Sequence, residues 1–354
     1  MATRSIPDDP IRIGIAGLGY IGSYVGSQFH RHPGAAVVAV CDLEADRRST
    51  VGERFSVPPA RRFESYATML ERASLDAVLV GTPHTLHYEQ VSLALDHGLD
   101  VYCDKPLTTT LEHARELASR ATAGEETLMV GYQRHLQTAF RRARERFRSP
   151  SNAEDVDDVH EIEGTAREPK WLTASITQDW IDDSMDSWRL DPALSGGGFL
   201  YDTGSHVLDA VLWTTGLTPD SVRASMDFHD EAERIDRRAH LDVRFRNGAT
   251  GSFAFNGAVA PTREHVHIWD GSGAIYLEGK EWRSRRVFEI DEESTEHHPY
   301  IDPRRERSRA DAFVEAVHEG TEPPATARDA LAVTALTEAA YESARRGERV
   351  SVAL

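Results

Sequence analysis

Residues 11–22 read IRIGIAGLGYIG, and this stretch decides the fold of the chain. Ile11, Ile13 and Ile15 alternate with smaller or polar residues, a pattern that predicts a buried β-strand. Glycines follow at the spacing G-x-G-x-x-G, and residues 20–30 repeat apolar side chains along one face, which predicts a helix. Strand, glycine turn and helix in this order predict a dinucleotide-binding fold.

The three glycines have separate roles in such a fold. Gly17 permits the tight turn out of the strand. Gly19 has no Cβ, so a pyrophosphate can approach its backbone, and Gly22 lets the helix lie close to the sheet. The free N–H groups at the start of the helix, at Tyr20 and Ile21, are expected to face the phosphates.

An acidic residue lies where such a fold binds the adenosine ribose. Asp42 follows the apolar run of residues 36–40 and lies about 20 residues after Gly22, where a carboxylate accepts from both ribose hydroxyls. The alternative is an unrelated glycine turn in which Asp42 only caps the next helix. Asp42 would repel a 2′-phosphate and so favours NAD over NADP, whereas Arg47 and Arg48 could pair with that phosphate.

Strands and helices continue to alternate through the first third of the chain. Apolar runs at residues 75–80, 99–103 and 127–130 predict further strands, with helices between them. This order predicts a parallel sheet covered by helices, with ligands at the carboxyl ends of the strands. The residues expected at those ends are Asp42, Thr82, Pro83, His84, Lys105 and Tyr132.

The pattern changes after residue 134. Residues 137–147 predict an arginine-rich helix, and residues 149–158 predict a surface loop. Strands are predicted at residues 159–165, 221–228, 239–246, 251–256, 265–269, 274–277 and 286–290, and helices at residues 307–318 and 327–345. We expect residues 1–133 to form a Rossmann NAD-binding domain. Residues 134–354 are expected to form an α+β substrate-binding and oligomerisation domain with a large open, mostly antiparallel sheet.

The composition is acidic and poor in lysine. The 354 residues include 58 acidic and 40 basic side chains, a net charge of −18, and Lys105, Lys170 and Lys280 are the only lysines. This balance favours a protein adapted to a halophile's salt over an ordinary acidic enzyme, because salt screens repulsion between acids. It excludes a basic surface that would attract nucleic acid or anionic lipid.

The compartment is expected to be the cytoplasm. No apolar stretch is long enough to span a bilayer, and the N-terminus lacks the apolar region of a secretion signal. Cys41 and Cys103 each end an apolar run, which favours buried free thiols in a reducing compartment. We therefore expect neither a membrane nor a nucleic-acid partner.

Residues 187–213 carry the acid–base candidates. After Gly196, Gly197 and Gly198 a helix is predicted from about residue 200, on which Asp202 and His206 are four residues apart and share a face. Such a pair could accept the proton of an alcohol while its hydride leaves. On these residues alone, the favoured interpretation is a capping acid and a core histidine that is satisfied by Asp209.

Further motifs occur in a fixed order along the chain. They are GLGYIG, the CD at residues 41–42, GTPHTLH at residues 81–87, DKP at residues 104–106, WR at residues 188–189, the triple glycine, D-x-G-x-H-x-x-D at residues 202–209, GSGAIYLEG at residues 271–279 and the helical stretch 331–343. In this order the chain resembles the Gfo/Idh/MocA oxidoreductases, the family of glucose–fructose oxidoreductase and inositol dehydrogenase.

The resemblance implies that Lys105, Asp202 and His206 are catalytic. His206 would be the general base, Lys105 would hydrogen-bond the reacting oxygen, and Asp202 would position the substrate. Asp104 stands where the family usually has Glu, and its shorter side chain leaves the family's contact near the nicotinamide ribose open. A solvated lysine at a strand end is the alternative for Lys105.

Six further residues keep two interpretations each. His84 and His87 are expected beside the cofactor, but His87 also fits a packing role. Tyr132 and Arg134 either line the substrate pocket or only pack. For Trp180 and Trp188 packing is the favoured interpretation, and an aromatic wall for a sugar ring is the alternative.

The sequence therefore predicts an NAD-dependent dehydrogenase that acts on a secondary hydroxyl of a sugar, cyclitol or polyol. A glycosidase or lyase of the same family with tightly bound NAD, and a regulatory NAD-binding protein without turnover, are the alternatives. The open sheet predicts a homodimer or homotetramer. We find no Cys/His cluster with zinc spacing in the sequence and expect no catalytic metal.

Overall fold

The computed structural model describes residues 9–148 and 167–354, and they form two compact units. The first unit contains the described residues up to Tyr132, together with Ala193–Gly196 and Arg307–Leu331. The second unit contains the remaining described residues. The loop predicted at residues 149–158 and the strand predicted at residues 159–165 lie outside the described residues.

The first unit is built on a six-stranded parallel sheet. Its strands are β1 (Ile11–Ala16), β2 (Ala35–Cys41), β3 (Arg62–Phe63), β4 (Ala77–Val80), β5 (Asp100–Cys103) and β6 (Leu128–Val130). Their order is β3-β2-β1-β4-β5-β6, and every neighbouring pair is parallel. The order reverses between β1 and β4, the point where doubly wound sheets bind ligands. The predicted Rossmann fold is confirmed.

Most of the described helices lie at predicted positions, whereas α7 and α8 were not predicted. They are α1 (Tyr20–Arg31), α2 (Ala45–Arg54), α3 (Tyr66–Arg72), α4 (His87–Asp96), α5 (Leu111–Ala123), α6 (Thr138–Phe147), α7 (Trp180–Asp183), α8 (Pro192–Ser195), α9 (Ser205–Thr215), α10 (Arg309–Glu319) and α11 (Ala327–Arg346). None of the described helices is long and apolar enough to cross a membrane.

Aromatic packing explains why α10 belongs to the first unit. The ring of Phe29 in α1 is fully buried, edge-on to Tyr102 of β5 and to Phe313 of α10, at centroid distances of 6.1 and 5.6 Å. Each such pair stabilises by about 0.5–1.5 kcal/mol beyond the burial of area. A residue far along the chain thereby completes the core under the nucleotide-binding sheet.

The second unit is built on a nine-stranded mixed sheet. Its strands are β7 (Trp171–Thr177), β8 (Pro219–Phe228), β9 (Asp236–Phe245), β10 (Thr250–Asn256), β11 (Arg263–Asp270), β12 (Gly273–Lys280), β13 (Arg286–Ile290), β14 (Glu296–His297) and β15 (Val350–Ser351). Their order is β14-β13-β12-β11-β7-β10-β9-β8-β15. The β7–β10 pair is parallel and the other described pairs are antiparallel, so the predicted, mostly antiparallel sheet is confirmed.

The central strand β7 was not predicted. Its apolar positions Leu172, Ala174 and Ile176 are buried and alternate with threonine and serine, so one face of the strand is covered. Because alanine, serine and threonine differ little in size, the alternation is weak in the sequence. In the folded sheet it is clear, since every second residue of β7 is buried. The opposite face of the sheet carries the side chains of Thr173 and Ser175.

Candidate active site

The glycine turn leaves open space at one of its three glycines. Gly17 has a φ of +83°, and a Cβ on Gly22 would lie 1.8 Å from the carbonyl oxygen of Gly17. A Cβ on Gly19, by contrast, would meet no described atom within 4 Å. Packing therefore requires Gly17 and Gly22 to be glycine, whereas Gly19 borders a space that could take a pyrophosphate. Tyr20 and Ile21 begin α1 beside this space.

The carboxylate of Asp42, which follows β2, accepts hydrogen bonds from two backbone N–H groups. These are the N–H of Leu18, at 2.7 Å, and the N–H of Glu44, at 2.9 Å. The guanidinium of Arg48 donates to the carbonyl oxygen of Asp42 at 2.7 Å and lies 3.5 Å from the carboxylate of Glu64. Asp42 thus holds the glycine turn and the backbone of Glu44, the residue that precedes α2. An arginine lies beside it.

His87 joins the ends of two neighbouring strands of the first unit. Its Nδ1 lies 2.8 Å from the carbonyl oxygen of Pro106, and its Nε2 lies 2.9 Å from that of Thr82. Both acceptors are carbonyl groups, so a neutral ring can donate to only one of them. The pKa of His87 is lowered, because the effect of burial outweighs the two carbonyl groups, which act in the opposite direction. The ring therefore positions the backbone immediately after Lys105.

His84 and Thr82 also make contacts within the first unit. The Nδ1 of His84 donates to the carbonyl oxygen of Ser195 at 3.0 Å, and the hydroxyl of Thr82 donates to Gln90 at 2.6 Å. Pro83 lies between them and precedes a 3-10 turn. His84 therefore fastens the short segment that precedes the triple glycine.

Lys105 is the second residue after β5, and its side chain is buried, as is that of Asp104, which precedes it. The backbone N–H of Asp104 donates to the carbonyl oxygen of Val80 at the end of β4. A Cβ on Gly131 would lie 2.7 Å from the carboxylate of Asp104, so the end of β6 approaches it closely. Lys105 therefore lies at the carboxyl edge of the parallel sheet, as predicted.

In the second unit, the carboxylate of Asp202 is held by two donors. Its Oδ2 accepts from the indole N–H of Trp180 at 2.7 Å and from Nε of Arg189 at 2.9 Å. The pair with the guanidinium is charge-assisted. Neither donor was assigned this role from the sequence, although Arg189 belongs to the WR motif. For Trp180, packing was the favoured interpretation.

His206 lies on the same helical segment, which departs from a regular α-helix. Leu200–Gly204 forms a π-helical turn, and α9 follows from Ser205. Such turns occur frequently at functional sites. The ring of His206 is buried, and its centroid lies 5.7 Å from that of Trp282. Trp282 follows β12 and has no sequence signal that could have identified it.

Asp209 contacts a histidine, His135, that the sequence did not single out. The Nε2 of His135 lies 3.0 and 3.1 Å from the two carboxylate oxygens of Asp209, and the His135 ring stacks on Trp213 at 4.2 Å. Asp209 and His135 are both buried. This pair joins α9 to the turn before α6.

Asp236 and Tyr341 form a buried hydrogen-bonded pair, here called the staple. It holds the start of the helical segment that carries Asp202 and His206. The carboxylate of Asp236 accepts from the backbone N–H of Leu200 at 3.0 Å and from the hydroxyl of Tyr341. The Tyr341 oxygen in turn accepts from the N–H of Gly198 at 2.9 Å. Burial raises the pKa of Asp236 to about 6, although these hydrogen bonds oppose the rise.

Arg134 belongs to a buried ionic cluster. Its guanidinium pairs with the carboxylate of Glu264, which also accepts from Arg285 at 3.0 Å. Burial by itself raises the pKa of Glu264, but the two arginines outweigh it and lower the pKa to about 2. The Arg134 guanidinium also lies 5.3 Å from the ring of Trp282. Arg134 thus supports the aromatic neighbour of His206.

Two family descriptions match most of the chain. Residues 11–132 match the "Oxidoreductase family, NAD-binding Rossmann fold", and residues 163–276 match the "GFO/IDH/MocA C-terminal domain". The chain belongs to the Gfo/Idh/MocA oxidoreductase family. The resemblance inferred from the motif order is confirmed, and the chain is an oxidoreductase with a Rossmann domain that binds NAD or NADP.

Several Gfo/Idh/MocA relatives match along nearly their whole length. The chain is 26% identical to D-xylose 1-dehydrogenase (NADP(+)) 2 of Haloferax volcanii, over 96% of this chain and 98% of that protein. It is 24% identical to myo-inositol 2-dehydrogenase of Thermotoga maritima, over 94% and 96%. Aldose-aldose oxidoreductase of Caulobacter crescentus, crystallised with glycerol, has the same fold with a TM-score of 0.80 and 21% identity, over 97% and 99%.

Proposed function

We propose that this chain is an NAD-dependent dehydrogenase that transfers a hydride between a nicotinamide and a secondary hydroxyl of a sugar, cyclitol or polyol. The observation that carries the proposal is the clamped carboxylate of Asp202, one turn before His206 on the same helical segment. A carboxylate that is fixed by Trp180 and Arg189 suits the orientation of a hydroxylated substrate. Relatives named for D-xylose and myo-inositol support the substrate class.

The glycine turn fits a dinucleotide because the space beside Gly19 is open. When bound, the nicotinamide supplies the hydride acceptor. We assign proton removal from the hydroxyl to His206 and stabilisation of the developing negative oxygen to Lys105. Asp202 orients the substrate. His87, which contacts the carbonyl oxygen of Pro106, positions the chain next to Lys105.

NAD is proposed as the preferred cofactor. The carboxylate of Asp42 lies at the end of β2, where it would accept from the ribose hydroxyls and repel a 2′-phosphate. Arg48 supports the opposite choice, since its guanidinium lies beside Asp42. One relative is named for NADP(+). We give Asp42 more weight than Arg48 because the carboxylate of Asp42 faces the glycine turn, where it accepts from the N–H of Leu18.

We also propose that the enzyme is a cytoplasmic homodimer or homotetramer. Trp171 on the outward face of the nine-stranded sheet is 44% exposed, and its ring lies 4.3 Å from that of Trp269. Exposed aromatic pairs on an open sheet favour burial against a second copy. Cys41 and Cys103 are buried free thiols, which fits a reducing compartment.

The test compares turnover and cofactor affinity in matched variants. Lys105→Met is expected to lower kcat by about 100-fold or more, since one stabilising donor is lost. NAD affinity should stay close to that of the parent protein. His206→Asn should lower kcat and flatten the pH profile, because the titrating base is absent. Lys170→Met is the matched control, because Lys170 is exposed and its ammonium pairs with Glu168 on the surface.

A panel of sugars, cyclitols and polyols, followed by NADH absorbance at low and high salt, identifies the substrate. Near-parental turnover in Lys105→Met would contradict the catalytic assignment. Loss of NAD binding together with activity would show that the variant disrupts the first unit rather than the chemistry.

A further inference from the structure

Two histidines and a glutamate meet on the outward face of the second unit's sheet. His265 and His267 lie two residues apart on β11, so both side chains point to the same face. Glu278 lies directly opposite His265 on the antiparallel strand β12. All three side chains are partly exposed. None of them belongs to the proposed catalytic set.

The three side chains already converge on one point. The Nδ1 of His265 contacts one carboxylate oxygen of Glu278, and the Nε2 of His267 lies 2.5 Å from the other. One potential ligand atom from each residue lies within 4.8 Å of the other two. The ring of His267 stacks on that of Tyr276 at 4.1 Å, which restricts its rotation. The donors are therefore brought together by strand register and partly held by packing.

We propose that His265, His267 and Glu278 bind a divalent transition-metal ion, with zinc as the chemical type that this donor set suits best. Two imidazole nitrogens and one carboxylate are a common set of three protein ligands for zinc, and they leave a fourth position for water. Zinc lies about 2.0–2.2 Å from such atoms. The ion would therefore sit between groups that now contact each other directly, and small side-chain rotations would admit it.

In a single chain, before any contact with a second copy, the surroundings provide access for an ion. A cavity of about 680 Å³ borders the two histidines on the same face, and it is lined in part by Thr173, Ser175 and Ser252. Arg286 is the cross-strand neighbour of Glu278, but its guanidinium lies over the ring of Phe288 at 5.4 Å. The carboxylate is thus available from the side of the histidines.

Bound metal would cross-link β11 to β12 and stabilise the folded second unit. An ion that binds the folded chain and not the unfolded chain raises stability with its concentration. The structural alternative is a hydrogen-bonded histidine–carboxylate cluster with no affinity for metal. The two differ in a measurable way, since only the first predicts saturable binding of one ion per chain.

The experiment titrates the chelator-treated full chain with Zn²⁺ by calorimetry and with Co²⁺ by visible absorption. We expect one ion per chain, a rise in Tm on Zn²⁺ addition, and the visible bands of four-coordinate Co²⁺. His267→Gln and Glu278→Gln should each weaken binding by about tenfold or more, since even loss of an outer partner costs that much. His240→Gln is the matched control, an exposed histidine on the same face of β9 that is outside the cluster.

The absence of saturable binding by the parent chain would overturn the proposal. So would unchanged affinity in the doubly substituted chain with His265→Gln and His267→Gln, provided that circular dichroism shows it folded. If that chain does not fold, Glu278→Gln decides the question, because glutamine keeps the shape of the side chain and removes its charge. Equal loss of binding in His240→Gln would also contradict the assignment.

Discussion

Gly19→Ala should separate cofactor binding from folding. Gly19 has a φ of −67° and a ψ of −163°, an extended conformation that alanine adopts readily. A Cβ there would meet no described atom within 4 Å. We therefore expect unchanged or slightly higher stability, by up to about 1 kcal/mol, because alanine restricts the unfolded chain. The added methyl group would occupy the space assigned to the pyrophosphate, so NAD affinity should fall at least tenfold, or about 1.4 kcal/mol.

Gly22→Ala is the matched comparison in the same turn. Its Cβ would lie 1.8 Å from the carbonyl oxygen of Gly17, and this backbone atom cannot move aside without shifting the strand or the helix. Overpacking of this kind typically costs about 1–3 kcal/mol. In a domain of 150–250 residues this lowers Tm by about 2–4 °C for each kcal/mol.

The two glycine variants are compared by calorimetric NAD titration and by thermal unfolding without cofactor. We expect opposite results, since Gly19→Ala should lose NAD affinity and Gly22→Ala should lose stability. Parental NAD affinity in Gly19→Ala would refute the placement of the pyrophosphate beside this residue. A large fall in Tm for Gly19→Ala would instead refute the inference that the space is open.

Three further predictions concern cofactor choice, pH and salt. Asp42→Ser should raise the ratio of kcat/KM for NADP to that for NAD, because the repelling carboxylate is removed; an unchanged ratio in steady-state assays would assign the choice elsewhere. Burial raises the pKa of Asp236 from 3.8 to about 6, so ionisation costs the folded state about 3 kcal/mol. The folded state therefore gains stability from the protonated carboxyl of Asp236 below pH 4, and this contribution is lost as the pH rises through 6. Asp236→Asn should therefore remove this part of the pH dependence in denaturant unfolding between pH 4 and 6, and an unaltered profile would contradict the shift. The net charge of −18 predicts that Tm rises with KCl into the molar range, and a constant Tm in a salt series would exclude salt adaptation.

The first unit could be predicted almost completely because its signals are local. Residues 11–22 place a strand, a turn and a helix in sequence, and buried parallel strands such as β4 appear as uninterrupted apolar runs. The short edge strand β3 was missed, since Arg62–Phe63 has no pattern of its own. In the second unit, β7 was missed because three apolar residues alternate there with small polar ones.

The candidate site was predictable where spacing alone sufficed. The four-residue interval between Asp202 and His206 placed both on one helical segment, and only its first turn differs, being π-helical. The donors on Asp202 come from 13 and 22 residues away, and no repeating pattern connects them. The pairing of His265 with Glu278 likewise depends on strand register, which the sequence does not specify.

The staple of Asp236 and Tyr341 has a consequence for biosynthesis. Tyr341 follows Gly198 by 143 residues, so at ribosomal rates of 5–20 residues per second its hydroxyl emerges about 7 to 30 s later. During that interval a nascent chain already contains Asp202 and His206. The backbone N–H of Gly198, however, lacks the Tyr341 hydroxyl that accepts from it in the folded protein. A chain truncated before residue 341 would therefore retain the acid–base side chains and lack their alignment.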